Sequence, residues 1–221
     1  MKLKWLGHAS VMIETGGKIV YIDPYQGEYE RKADLIVVTH GHGDHLNKPK
    51  LSIASKNDTI FVAAKSCAKE ISGKVVSMEA GQKEKFGGIE IEAVHSYNDK
   101  RFRSPGVPFH PKGQNIAVII RSEGKSVFHA SDTDFIPEMK TLPAIDVALL
   151  PIDGTYTMDV PEAVEATLAI KPKMVIPIHR REANVKDFQR QVEEKSNIKV
   201  LALSRGEETT CLLYTSDAAD E

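Results

Sequence analysis

The sequence predicts a layered α/β fold with β-sheets buried beneath helices. Three observations carry that expectation. The N-terminal third reads as short strands joined by hairpin signals. The C-terminal third alternates apolar strands with helices. No repeat, low-complexity segment or Pro/Gly-rich linker divides the chain, and 221 residues fit one domain.

Taken in order, Lys2 to Trp5, Ser10 to Glu14, Lys18 to Ile22 and Leu35 to Thr39 read as strands, with Thr15-Gly16-Gly17 as a hairpin turn. A helix start is expected near Asn47. Ile60 to Ala63 reads as a strand, Lys65 to Ser72 as a short helix and Val75 to Met78 as a strand. Lys83 to Phe86 and Ile89 to Val94 form a hairpin about Gly87-Gly88; Asn115 to Arg121 and Ser126 to His129 form another about Glu123-Gly124. Val147 to Leu150 is an apolar strand. Pro161 to Ile170 is a helix capped by Asp159. Met174 to Ile178, Val185 to Lys195 and Ile198 to Leu203 follow as strand, polar helix and strand. Tyr97 to Gly113 is a long irregular segment, of a length that usually carries function in a compact domain.

Composition narrows the function classes. Lys+Arg is 29 against Asp+Glu 31, a net charge of -2, which excludes a strongly basic nucleic-acid binder. Two cysteines exclude a disulfide scaffold. No apolar run approaches the roughly 18 residues needed to cross a membrane and no signal-peptide core is evident, so a cytoplasmic protein without membrane or nucleic-acid partners is expected.

The last eleven residues, Cys211 to Glu221, read as a translated transposase-type sequencing adapter and are expected to be non-native; a genuine disordered terminus is the alternative. The native domain would then span 1–210. Removing Asp217, Asp220 and Glu221 takes the acidic count from 31 to 28 against 29 basic residues, so -2 becomes +1.

The chemistry concentrates in Thr39-His40-Gly41-His42-Gly43-Asp44-His45, placed between a buried strand and a helix start. Imidazole and carboxylate are ligands for Zn²⁺ and similar ions. Gly41 and Gly43 would let the backbone turn tightly. Four ligand-type residues in six positions crowd one ion, which takes about four ligands in all, so two neighbouring ions are the easier solution.

This motif resembles the metallo-β-lactamase superfamily, in particular its branch of uncharacterised metal-dependent hydrolases related to ascorbate-6-phosphate lactonases. The likeness runs from Leu3 to about Gly206. Ile22-Asp23-Pro24, the His40–His45 motif, His95, Asp132 and His179 match the landmarks in order. Ser131 stands where the family usually has Gly, and Arg180 where close relatives often have Tyr. The resemblance implies an αββα sandwich. It implies one metal on His40, His42 and His95, a second on Asp44, His45 and His179, and Asp132 bridging them. Two divalent ions, Zn or Mn or Fe, would hold a bridging water that becomes the attacking hydroxide, with Asp44 orienting this nucleophile and taking its proton.

Other residues divide between roles. Asp23 is expected to support the metal loop, and His8 and Tyr156 to line the pocket or back the ligands. His129 faces away from Asp132 by strand alternation and is expected to be inert. His110 reads as a solvated loop residue and Cys67 as buried packing. Arg101, Arg103, Arg180 and Arg181 are solvated charges or contacts for an anionic substrate. The expected function is hydrolysis of a lactone, ester or related small molecule. A phosphodiesterase or nuclease with the same site is the first rival, and a metal-binding protein without turnover the second. Self-association is left open.

Overall fold

The strand patterns resolve into two seven-stranded sheets in a computed structural model, which describes residues 1–210. The chain runs through β1 (Lys2–Gly7), β2 (Ser10–Thr15), β3 (Lys18–Ile22), β4 (Leu35–Val38), α1 (Lys48–Ala54), β5 (Ile60–Ala64) and β6 (Lys74–Met78). It continues through β7 (Lys83–Phe86), β8 (Ile89–Ser96), a small hairpin of β9 (Phe102–Ser104) and β10 (Val107–Pro108), β11 (Asn115–Ser122) and β12 (Lys125–His129). It closes with β13 (Val147–Pro151), α2 (Val160–Ile170), β14 (Met174–Ile178), α3 (Val185–Lys195), β15 (Lys199–Val200) and β16 (Glu208–Thr210). The first sheet has the order β16-β1-β2-β3-β4-β5-β6 and the second β15-β14-β13-β12-β11-β8-β7.

Period-2 alternation separates two cores. On β11, Ile116, Val118 and Ile120 join the cluster between the sheets, with Ile13, Val20 and Leu35 from the first sheet. Ala117 and Ile119 point the other way, into a second cluster roofed by Ala163 and Val164 of α2 and Phe188 and Val192 of α3. Leu51 and Ala54 of α1 pack on the first sheet's side. The layers are therefore helix, sheet, sheet, helix, as the sequence leads one to expect. Asp159 caps α2 by accepting from the Glu162 amide at 2.9 Å, with Pro161 in the first turn.

Several boundaries differ from the sequence reading. The helix expected over 65–72 is a single 3₁₀ turn, Ala68–Glu70, too short a stretch to propagate a helix. The last strand shrinks to Lys199–Val200, and Glu208–Thr210 instead returns as β16 to pair antiparallel with β1. The long loop contains β9 and β10. The non-native reading of Cys211 to Glu221 lies outside the described residues.

The two sheets are clasped at one edge by polar contacts. The His179 amide donates to His8 O at 3.0 Å and the Ile116 amide to Thr39 O at 3.1 Å. His129, fully buried, donates from Nε2 to Ala9 O at 2.9 Å. That edge is where the candidate ligands gather.

Candidate metal centre

The ligand-type residues share a position: each of His8, Asp23, His40, Asp132, Asp153 and His179 lies one to three residues beyond the end of a strand. Four residues at these strand ends hold a left-handed backbone: His8 (φ 52°), Asp23 (φ 47°), Ser131 (φ 60°) and His179 (φ 45°). Such positions cost non-glycine residues about 1 kcal/mol or more and concentrate at functional sites. The φ of Ser131 explains why glycine suits that position. Gly41 and Gly43 are different. Neither takes a positive φ; a Cβ at Gly41 would lie 3.3 Å from Cys67 Cβ, while the space beside Gly43 is open. Close approach, and not turn geometry, accounts for Gly41, and Cys67 is the buried packing cysteine expected.

Three groups of ligand atoms converge: His40 with His42 and His110; His8 with Asp44, His45 and His179; and His40 with His45 and Asp132. His40 Nε2 lies 3.1 Å from His42 Nδ1, and His110 Nε2 lies 3.2 Å from the same atom. Asp132 is central. Its Oδ1 is 3.4 Å from His45 Nε2, and its Oδ2 is 3.3 Å from His179 Nε2 and 3.4 Å from His110 Nε2.

His95 is a correction. It lies in none of these groups, and its ring meets only the edge of Tyr97. The neighbouring Ser96 is the residue of β8 that reaches this loop, donating from Oγ to Asp132 O at 3.0 Å, and strand alternation turns His95 to the opposite face of β8. The long loop after β8 carries His110 in instead. His110 was read as a solvated loop residue, yet it is only 2% exposed and faces the cluster. The loop's length was the signal that could have found it.

The outer nitrogens of His40, His45, His110 and His179 each meet a neighbouring polar group. His45 Nδ1 meets Asp23 Oδ2 at 2.7 Å, and Asp23 also accepts from the Thr39 amide (2.8 Å) and hydroxyl (2.6 Å). His179 Nδ1 lies 2.8 Å from Asp153 Oδ2. His110 Nδ1 donates to Asn98 Oδ1 at 2.7 Å, and Asn98 Nδ2 donates to Asp134 Oδ1 at 3.0 Å. His40 Nδ1 lies 3.1 Å from Thr39 Oγ1, whose own proton goes to Asp23. Asp153, Asn98 and Asp134 escaped the sequence reading; Asp153 alone carried a signal, a carboxylate following an apolar strand.

These anchors leave the inner nitrogens bare, which tests the fit to metal. His45 Nε2 and Asp132 Oδ1 are buried without a hydrogen-bond partner. His42 Nδ1 lies 3.1 Å from His40 Nε2 and 3.2 Å from His110 Nε2, close to the spacing that ligands of one cation take. A tetrahedral ion with bonds of about 2.0–2.1 Å sets its ligands about 3.3 Å apart. The donor set therefore fits transition-metal ions.

Electrostatics divide the cluster. Burial holds the His40 imidazole well below its usual pKa, lowers that of His42 and takes His110 down to about 4. Burial also opposes charge on His45 and His179, but the neighbouring aspartates win. Asp132 and Asp23 raise His45 well above the usual value, and Asp132 and Asp153 take His179 up to about 9. Against the same burial, His179 and His45 hold Asp132 well below the carboxylate range, and His8 beside Asp44, at 3.1 Å, lowers that carboxyl too.

The remaining candidates separate. Tyr156 lines a cavity of about 350 Å³ over the cluster, with Arg103 and Phe109. His8 faces Asp44, and Asp23 lies behind His45. His129 accepts the Ser131 amide at Nδ1 and takes no part in the ligand groups. Arg101 is locked between Asp134 and Glu162, at 2.6 Å each. Arg180 stacks over Trp5 at 4.0 Å and donates to Pro177 O and Leu203 O. Of the four arginines, only Arg103 and Arg181 stay near the pocket, the latter 5.3 Å from the Tyr156 ring.

Comparison with known proteins establishes the family and the fold. Residues 2–179 match a family model described as the beta-lactamase superfamily domain. A metal-dependent hydrolase of Pelotomaculum thermopropionicum is 33% identical over 227 residues, covering 94% of this chain and 98% of that protein. A solved metallo hydrolase of Ignicoccus hospitalis superposes with a TM-score of 0.78 at 28% identity, covering 94% of this chain and 97% of the other. A metallo-beta-lactamase fold protein of Bacillus subtilis superposes at 0.75 with 11% identity and covers 94% and 98%; it attests the fold alone.

Proposed function

For this metal-dependent hydrolase, a chain that belongs to the metallo-β-lactamase superfamily, we propose a dinuclear metal centre that cleaves a small lactone, ester or related carbonyl substrate. One ion would rest on His40, His42 and His110, the other on Asp44, His45 and His179, with Asp132 between them. When bound, the ions supply a water of lowered pKa and a positive charge for the oxygen of the electrophile. The observation that carries this reading is the convergence of imidazole nitrogens on Asp132, with His45 and His110 oriented by a hydrogen bond at the far side and His179 by its contact with Asp153.

The protein's own groups divide the remaining work. Asp44, held ionised beside His8 and 41% exposed, reaches the cavity and can orient a nucleophile and take its proton. His8 Nε2 fixes the Asp44 carboxylate at 3.1 Å. Asp23 and Asp153 keep His45 and His179 in the tautomer that points Nε2 inward. A cavity of about 350 Å³ suits a small molecule better than a nucleic-acid strand.

Metal analysis of the purified protein, followed by a panel of lactones, carboxylic esters and phosphodiesters, tests the proposal. Two ions per chain and carbonyl-ester turnover are expected. Metal without turnover on any class would favour a non-catalytic binder, and turnover on phosphodiesters alone would favour the rival chemistry.

A further inference from the structure

Opposite the ligand cluster, the cavity wall is made by Arg103, Phe109 and Tyr156. Phe109 and Tyr156 meet edge to face with centroids 4.9 Å apart and planes at 82°. Together they offer an apolar corner to a flat group. Arg103 lies on β9, in the hairpin above this corner. Its guanidinium sits 5.9 Å from the Phe109 centroid and donates through Nη2 to Phe109 O at 3.2 Å.

Of the arginines that make no ion pair among the described residues (Arg103, Arg180, Arg181 and Arg205), Arg103 is the one that lines this cavity. Arg31, Arg101, Arg121 and Arg190 are each paired with carboxylates. Among the described residues Arg103 makes no ion pair, and its side chain is exposed. One of its five N–H donors is used, which leaves a fork face free for a carboxylate or other oxyanion. An exposed cation spends its charge on water unless a ligand arrives. Here the cation is tethered to a backbone carbonyl of the pocket wall, so little conformational freedom is lost on binding.

Resting on the hydrolase reading above, we propose that the substrate is an organic anion with two distinct ends: a carbonyl group that faces the His/Asp cluster and an acidic group that Arg103 grips, joined by a flat or apolar body lying on Phe109 and Tyr156. Arg103 is then the specificity-determining residue of the pocket. It selects anionic substrates over neutral ones of the same shape.

The test uses the metal-loaded protein and two non-hydrolysable probes, phenylacetate and 4-carboxyphenylacetate. Each offers one carboxylate to the metal side; only the second offers another to Arg103. Calorimetric titration should show the native protein preferring the dicarboxylate by about tenfold or more. Arg103→Gln should reduce that preference to under about threefold with phenylacetate affinity and metal content unchanged, and Arg103→Lys should fall between. Equal binding of both probes by the native protein, binding of neither, or a preference that survives Arg103→Gln overturns the proposal. The outcome separates from the hydrolase reading. If the preference holds while no ester or lactone is turned over, the reading of the reaction fails and the anion site stands.

Discussion

The two halves of the proposed metal centre are backed differently. His45 and His179 lean on buried carboxylates, Asp23 and Asp153. His40 and His110 lean on a hydroxyl and an amide, Thr39 and Asn98. A carboxylate behind an imidazole raises its basicity and strengthens its bond to a metal; an uncharged acceptor fixes the same tautomer without adding charge. On the two-ion reading, one half would hold an ion firmly. The other would surround its ion with three neutral imidazoles and leave more of the positive charge for the substrate.

The largest effect expected is at the residue both halves share. Asp132→Ala should lower metal content from two ions per chain to one or none and reduce turnover about a thousandfold. Full loading and intact activity would break the account of the whole centre. Next comes the difference between halves. Asp153→Asn should weaken metal binding about 10- to 100-fold by chelator competition. In the native protein, substoichiometric metal should then enter the aspartate-backed half first. Equal filling would show that backing charge does not set the order.

A smaller effect concerns acid. Glu162 is held below its ordinary value, against burial, by Lys100, the Phe135 amide and Arg101, and it anchors the segment that carries Asn98. A depressed carboxylate adds stability above its unfolded pKa, near 4.5, that is lost as pH falls through the lower folded value. In metal-free protein, amide exchange over 98–110 should therefore accelerate below about pH 4 before exchange in β4 does. Glu162→Gln should remove that acid step. The smallest effect is Ser131→Gly, which relieves a left-handed backbone under His40 and should raise stability by about 0.5–1 kcal/mol in thermal unfolding.

The same contrast explains what could be read from the sequence. His40, His42, Asp44 and His45 are contiguous, so their spacing alone announces a metal loop. Asp132 and His179 follow apolar strands whose ends are easy to place. His110 has no such address. It lies fifteen residues beyond His95, the strand-end histidine that looked like the ligand, in a segment whose path is set by Asp134. That carboxylate gathers the Asp99, Lys100 and Arg101 amides and the Arg101 side chain. Long-range pairing of this kind leaves no periodic trace. Asn98 was invisible for the same reason. Among the elements, the short turn at Ala68–Glu70 and the returning strand β16 were missed because tertiary pairing, and not local propensity, defines them.

The clasp between the sheets divides the molecule into a part that can vary and a part that cannot. His179 to His8, Ile116 to Thr39 and His129 to Ala9 fix one sheet edge to the other beneath the ligands. Any shift of one sheet against the other would tear the ligand set apart. The mouth is bounded instead by β9, β10 and the turn bearing Tyr156, which hang from the frame without belonging to either sheet. Adaptation to a new substrate is thus a matter for residues 99–109 and 154–158. Transplanting those two stretches between relatives should carry substrate preference with them while leaving the metal frame untouched.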